Sequence, residues 1–139
     1  MKASVTWVEK RTFLGESGSG HAIVIDGAPE HGGRNLGIRP MELLLLGLAG
    51  CTSFDVIMIL EKGSEDIRDC KVEVQAERAE TDPKIFTRIH LTYRVVGHRL
   101  SREKVERAVA LSAEKYCSAS IMLGKVAEIT HEIEVIEAP

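Results

Sequence analysis

Three observations predict an α+β fold. Strand-like alternation fills the start, the middle and the end of the chain, and a single long apolar helix pattern lies between. The resulting order, β-β-β-α-β-β-α-α-β, lacks the regular βαβ alternation of a doubly wound sheet. At 139 residues the chain suits one domain spanning residues 1–139, large enough for a true core.

The elements follow in order. Ala3, Val5 and Trp7 alternate with Ser4 and Thr6 as a first short strand. Thr12 to Leu14 and His21 to Ile25 read as two more, separated by the turn-rich stretch from Gly15 to Gly20. Gly27 to Arg39 carries Pro29, four glycines and the segment His31-Gly32-Gly33-Arg34, so it is the main loop. Pro40 suits the first position of a helix, with Met41 and Glu42 in its first turn, and the helix is predicted to reach Lys62 and stop at Gly63.

That helix has two possible environments. Leu43 to Leu60 is nearly free of charge and meets the roughly 18-residue length of a membrane span. Asp55 near its middle, with Thr52 and Ser53 alongside, is costly in lipid and favours a buried central helix, so no membrane association is expected. A helix apolar on most sides must be covered on most sides. One small domain does this poorly alone, and a homodimer is expected.

Two strands come next. Cys70, Val72, Val74 and Ala76 alternate with charged or polar neighbours, as do Ile89, Leu91, Tyr93 and Val95, with Asp82-Pro83-Lys84 as the turn between. Each buries one face, as in an antiparallel sheet. Ser101 is the expected N-cap of a second helix, with Leu100 and Val105 placed for a hydrophobic staple and a buried stripe of Val105, Ala108, Val109, Ser112 and Tyr116. A third helix is expected from Ser118 to Leu123, ending at Gly124, and a last strand alternates Ile129, Ile133 and Val135 with Thr130, Glu132 and Glu134.

Bulk properties narrow the function. A net charge of −3 and a pI near 6.0 argue against nucleic acid, whose binding needs a basic face. Met1-Lys2 leads into an alternating stretch without an apolar h-region, so no signal peptide is expected. Three cysteines, an odd number, fit a reducing cytoplasm better than an exported disulfide framework.

Chemistry concentrates on Cys51 and Cys117. Cys51 stands among small and hydroxyl side chains inside the apolar helix, and Cys117 where one helix ends and the next begins. A thiol is a nucleophile only as thiolate, which a helix N-terminus or a nearby cation favours. Cys117 as cap of the third helix has such an N-terminus. Cys51 needs a cation, and Arg34 and Arg39 in the preceding loop are candidates, while Asp55 one turn on opposes it. Packing at a tight helix contact is the competing role for both thiols. Cys70 shares its face with Val72 and Val74 and reads as a small buried hydrophobe. Without C-x-x-C or H-x-x-x-H spacing among the cysteines and five histidines, neither a metal nor another resident cofactor is expected. Glycine fingerprints for phosphate or dinucleotide and the G-x-S-x-G elbow are also absent.

The helix start Pro40-Met41-Glu42-Leu43, the pair Gly50-Cys51 and the run Glu114-Lys115-Tyr116-Cys117-Ser118 resemble the OsmC/Ohr superfamily, most nearly its YhfA-like branch. The likeness extends to Trp7-Val8-Glu9, to Phe13 through Ser17 and to Leu111-Ser112-Ala113. It implies an OsmC-like fold, in which antiparallel sheets wrap long central helices of an intertwined homodimer. It also implies a thiol peroxidase acting on organic hydroperoxides, with Cys51 as peroxidatic and Cys117 as resolving cysteine and an external dithiol as reductant. Apolar walls from Met41, Leu44, Leu48 and Met122 would favour alkyl peroxides. The peroxidases carry a glutamate directly after the helix-start proline. Here that position is Met41, and Glu42 lies one residue on, about 100° around the helix. Their activating arginine corresponds to Arg34, Arg39 or Arg11. The alternative is a dimer that binds an apolar small molecule or senses redox state without catalysis.

Overall fold

A computed structural model describes all 139 residues, which divide into two compact units, Met1–Leu46 and Gly47–Pro139, where the sequence reading treats residues 1–139 as one domain. In the first unit, β1 (Ala3–Glu9), β2 (Thr12–Ser17) and β3 (Ala22–Ile25) form an antiparallel sheet in that order. β2 continues through Gly15 to Ser17, so the expected turn from Gly15 to Gly20 is shorter than the glycines imply. The ladder keeps Gly15 because its missing side chain admits Ile25 and Ile23 of β3. Every residue of β1 is exposed, Val5, Trp7 and Val8 included.

The loop after β3 is pinned rather than slack. Ile38 pairs with Ile25 in a short parallel bridge, and the Ile38 amide donates to the Val24 carbonyl at 3.1 Å. Gly37 lies so close to Val24 that a side chain would strike the Val24 carbonyl, and Gly33 is pressed in the same way onto Gly27. A 3-10 turn at Pro29–His31 fills the remaining arc.

Helix α1 runs from Pro40 to Lys62, the predicted limits. Its buried stripe is Leu48, Thr52, Val56 and Leu60, one residue per turn. Phe54 on another side is 73% exposed, and Leu44, Leu46 and Met58 are exposed too, so a helix apolar all round is covered along one stripe only. It is the one helix long and apolar enough to cross a membrane.

In the second unit, β4 (Asp66–Arg78), β5 (Phe86–His98) and β6 (Glu128–Glu137) form a sheet with β5 in the centre. β4 pairs antiparallel with β5, matching Cys70 with Val95, Val72 with Tyr93, Val74 with Leu91 and Ala76 with Ile89. β6 departs from the expected all-antiparallel arrangement. It pairs parallel with β5, Ile89 opposite Ile129 and Tyr93 opposite Ile133. The chain between them holds two helices, long enough for the crossover that a parallel neighbour requires. One sheet face is the core, with Ile89, Leu91, Tyr93 and Val95 all buried. The other is a polar ladder in which Arg94 pairs with Glu134 at 3.0 Å and His90 with Glu132 at 3.2 Å.

Helix α2 (Arg102–Leu111) begins at Ser101, whose hydroxyl caps the Lys104 amide at 3.3 Å, and buries Val105, Ala108 and Val109. It continues into a π turn, Ser112–Tyr116, and α3 (Ser118–Leu123) follows. The π turn overturns one expectation: Tyr116, placed on the buried stripe, is 51% exposed. The wider turn rotates it off the face that an α-helical spacing from Ser112 would have given it.

Candidate functional site

The second unit brings together residues from α1, β5, the π turn and the start of α3. Cys51 and Asp55 lie one turn apart on α1, and Cys117 is the residue between the π turn and α3. The two sulfurs and a carboxylate oxygen of Asp55 all lie within 4.8 Å of one another. Both thiols are free. Cys117 is wholly buried, while Cys51 and Asp55 are half-buried.

The π turn is what aims Cys117. Its amide donates to the Ser112 carbonyl at 2.8 Å, five residues back, closing the wide turn. In a regular α-helix these two residues would sit about 140° apart around the axis. Here both reach Asp55, Ser112 through its hydroxyl and Cys117 through its sulfur. Beyond the turn, Cys117 caps α3 as the sequence suggests, its sulfur accepting the Ser120 amide at 3.3 Å.

The expected preference of Cys117 for thiolate is reversed. Burial pushes its thiol above the ordinary cysteine value. The Ser120 hydroxyl and amide oppose this, and the neighbouring Cys51 sulfur adds to the rise. A cap of one amide does not outweigh removal from water. Cys70 sits on the inner face of β4, as read, and its thiol is likewise raised, by burial and then by Asp69.

Beside the thiols runs a chain of hydroxyls that the sequence reading did not assemble. Tyr93 and Thr52 are 2.7 Å apart, Thr52 and Ser112 2.8 Å, and the Ser112 hydroxyl donates to Asp55 Oδ2 at 2.9 Å. Each hydroxyl has one proton, so the direction is fixed from the carboxylate backwards. Ser112 donates to Asp55, Thr52 donates to Ser112, and Tyr93 donates to Thr52. Burial holds the Tyr93 phenol above its ordinary value, with the Thr52 hydrogen bond opposing, which keeps it the donor at the head of the chain. Thr52 and Asp55, polar residues near the middle of a largely apolar helix, were the visible signal. Their partners lie 41 and 57 residues away.

The other expected catalytic residues, Arg34, Arg39 and Glu42, belong to the first unit. Arg34 donates through Nε and Nη2 to Thr12 Oγ1, at 3.2 and 2.8 Å, and through Nη1 to Glu9 at 2.8 Å. Its own amide binds Asp26, a buried carboxylate that also accepts from Gly27, Leu36 and the Thr12 hydroxyl. Burial pushes Asp26 upward, but these four hydrogen bonds prevail and hold it at about 2. Arg39 donates to the Gly37 carbonyl at 3.1 Å. Glu42 accepts the Arg39 amide at 2.8 Å, the returning half of a capping box at the start of α1. Of the expected apolar walls, Met41 is half-buried, Leu48 lies wholly in the core, and Leu44 and Met122 are exposed. A separate apolar hollow of 540 Å³ on the outer side of α1 is lined by Gly50, Ser53, Phe54, Ile57, Met58 and Glu61.

Residues 32–132 match the family model described as OsmC-like protein. Protein YhfA of Escherichia coli (strain K12) is 48% identical over 141 aligned residues, which cover 99% of this chain and 100% of that protein. A crystal structure of a hypothetical protein from Aquifex aeolicus VF5 is 31% identical, with 96% of each chain covered and a TM-score of 0.81. An organic hydroperoxide resistance protein OsmC from Legionella pneumophila shares the fold at 17% identity, covering 96% of this chain and 95% of that one with a TM-score of 0.70.

Proposed function

The chain belongs to the OsmC-like protein family, and from that premise we propose that it is a thiol-dependent peroxidase reducing organic hydroperoxides with the pair Cys51 and Cys117. The observation that carries this reading is the convergence of the two sulfurs, within 4.8 Å, from residues 66 positions apart in sequence. Their unequal exposure supports the division of roles. Cys51, half-open, is the thiol that a substrate can reach, and Cys117, sealed, meets only what forms beside it.

The reaction balances as follows. The Cys51 thiolate attacks one oxygen of the hydroperoxide, the O–O bond breaks, and the alkoxide leaves as alcohol after taking a proton. Cys51 becomes a sulfenic acid. Cys117 then attacks its sulfur, the S–O bond breaks, water departs, and a disulfide forms. An external dithiol reduces the disulfide and is itself oxidised. Asp55 and the hydroxyl chain hold the wall beside the sulfurs. Arg34 and Arg39 stay candidates for the activating cation and Glu42 for the acid that would pair with it, with the cytoplasm as the place of action. The partner in this reading is a second copy of the chain, which would cover the exposed apolar residues of β1 and α1.

The test is consumption of cumene hydroperoxide with dithiothreitol as reductant. Cys51→Ser is expected to lower the rate about a hundredfold or more. A variant as fast as the parent removes the proposal. A second reading, an apolar small-molecule binder without catalysis, is favoured by the 540 Å³ hollow, and predicts an intact fold, inert thiols and ligand binding lost on Phe54→Asp.

A further inference from the structure

We propose that Cys51, Asp55 and Cys117 form a binding site for one thiophilic divalent cation, zinc(II) by preference, with two thiolates and one carboxylate as ligands and a fourth position open to water. This inference stands on the geometry of the cluster and does not need the peroxidase reading.

Charge is the first argument. Three groups that are anionic when deprotonated meet in one half-buried place, and Asp55 takes part in none of the chain's ion pairs. Once the thiols ionise, such a set is costly without a positive partner. A divalent cation supplies it, leaving a net charge of one negative unit.

The donor set is the second argument. Two sulfurs with one carboxylate suit a borderline-soft metal, and three protein ligands with one free position is the pattern of an open zinc site. Zinc bonds of about 2.3 Å to sulfur place tetrahedral ligand atoms roughly 3.8 Å apart. With every separation inside 4.8 Å, the contraction needed is at most about 1 Å.

Support around the ligands is the third. The Ser112 hydroxyl engages Asp55 Oδ2 only, which leaves Oδ1 without a protein partner, and Thr52 and Tyr93 steady Ser112 from behind. The Ser120 amide orients the Cys117 sulfur. Hydrogen bonds of this kind aim ligands and fix their basicity. Cys51 and Asp55 are half-exposed, so an ion has a way in. No C-x-x-C spacing marks such a site, because its ligands come from α1 and from the N-cap of α3.

The metal takes both sulfurs as thiolates and oxidises nothing, so affinity rises with pH. With the metal in place neither sulfur is free, and the disulfide cannot form.

The experiment is a cobalt(II) titration of the reduced full-length protein under a phosphine reductant and without air. The expected result is a strong near-ultraviolet thiolate-to-cobalt band, saturating at one ion per chain and bleached by zinc. Cys51→Ser and Cys117→Ser should each lose half of the band or more, Cys70→Ser none, and Asp55→Asn should weaken cobalt binding roughly tenfold or more. Zinc should also slow alkylation of Cys51 in the unaltered protein, with Cys70 unaffected. Absence of the band in the unaltered protein, its survival in both Cys51→Ser and Cys117→Ser, or an unchanged affinity in Asp55→Asn overturns the site. Hydroperoxide turnover by the metal-free protein is scored separately, so loss of either idea leaves the other readable.

Discussion

Asp26 in the first unit and Asp55 in the second each accept a hydroxyl hydrogen bond, from Thr12 and from Ser112. Around Asp26 three backbone amides complete the set, and the carboxylate is spent on holding the loop from Gly27 to Leu36. Around Asp55 one hydroxyl is the whole protein complement, and two sulfurs lie beside it. A saturated carboxylate is a structural hub. One left with a free oxygen next to nucleophiles has capacity to spare, and function draws on that capacity.

The sharpest way to break this contrast is Asp26→Ala. It orphans three amides at once, so exchange at Gly27, Arg34 and Leu36 should accelerate about a hundredfold or more while the amides of β5 keep their protection. Equal protection in the variant would deny Asp26 its role as hub. Acid should act in the same place. Because the folded Asp26 sits at about 2 against an ordinary 3.8, its contribution is complete above the higher value and disappears as pH falls toward the lower. Loop exchange followed down the pH scale should show that loss, and Asp26→Asn should abolish the dependence.

In the second unit, Thr52→Val cuts the hydroxyl chain in its middle and should cost about 1–3 kcal/mol in urea unfolding. Tyr93→Phe removes only the first donor, and Thr52 keeps Ser112. About 1 kcal/mol is expected, less than for Thr52→Val. Native-state alkylation should be the mildest probe. Cys51 should label first and Cys117 only on unfolding, as their exposures require; the reverse order would refute the assignment of roles.

Much of this architecture was legible. Pro40 and Gly63 bracket α1 because each enforces a boundary, one by its fixed φ and one by ending the side-chain periodicity. Ser101 and Cys117 announced their helices by standing just before apolar repeats. The strand faces followed from period-two alternation. Other features had no local cause to read. The parallel pairing of β6 with β5 depends on which edge a returning strand finds, and alternation is blind to that. Ser112 to Tyr116 has an ordinary helical composition, so its π turn, and with it the exposure of Tyr116, emerges only when Cys117 reaches back to Ser112. In the site, the two cysteines were picked out by type and setting. Asp55 was read as a liability to Cys51, since its hydroxyl partner lies 57 residues on.

The five-residue closure between Ser112 and Cys117 also makes the site sensitive to arithmetic. The wide turn absorbs one surplus residue, so Cys117, five positions on, faces the way the fourth residue of an ordinary helix would. A residue inserted between the two, with the bend unable to widen again, would advance Cys117 by about 100° and carry it away from Cys51 with no amino acid exchanged at either position. Chain length at this bend, as much as the sulfur itself, encodes whether the two thiols meet.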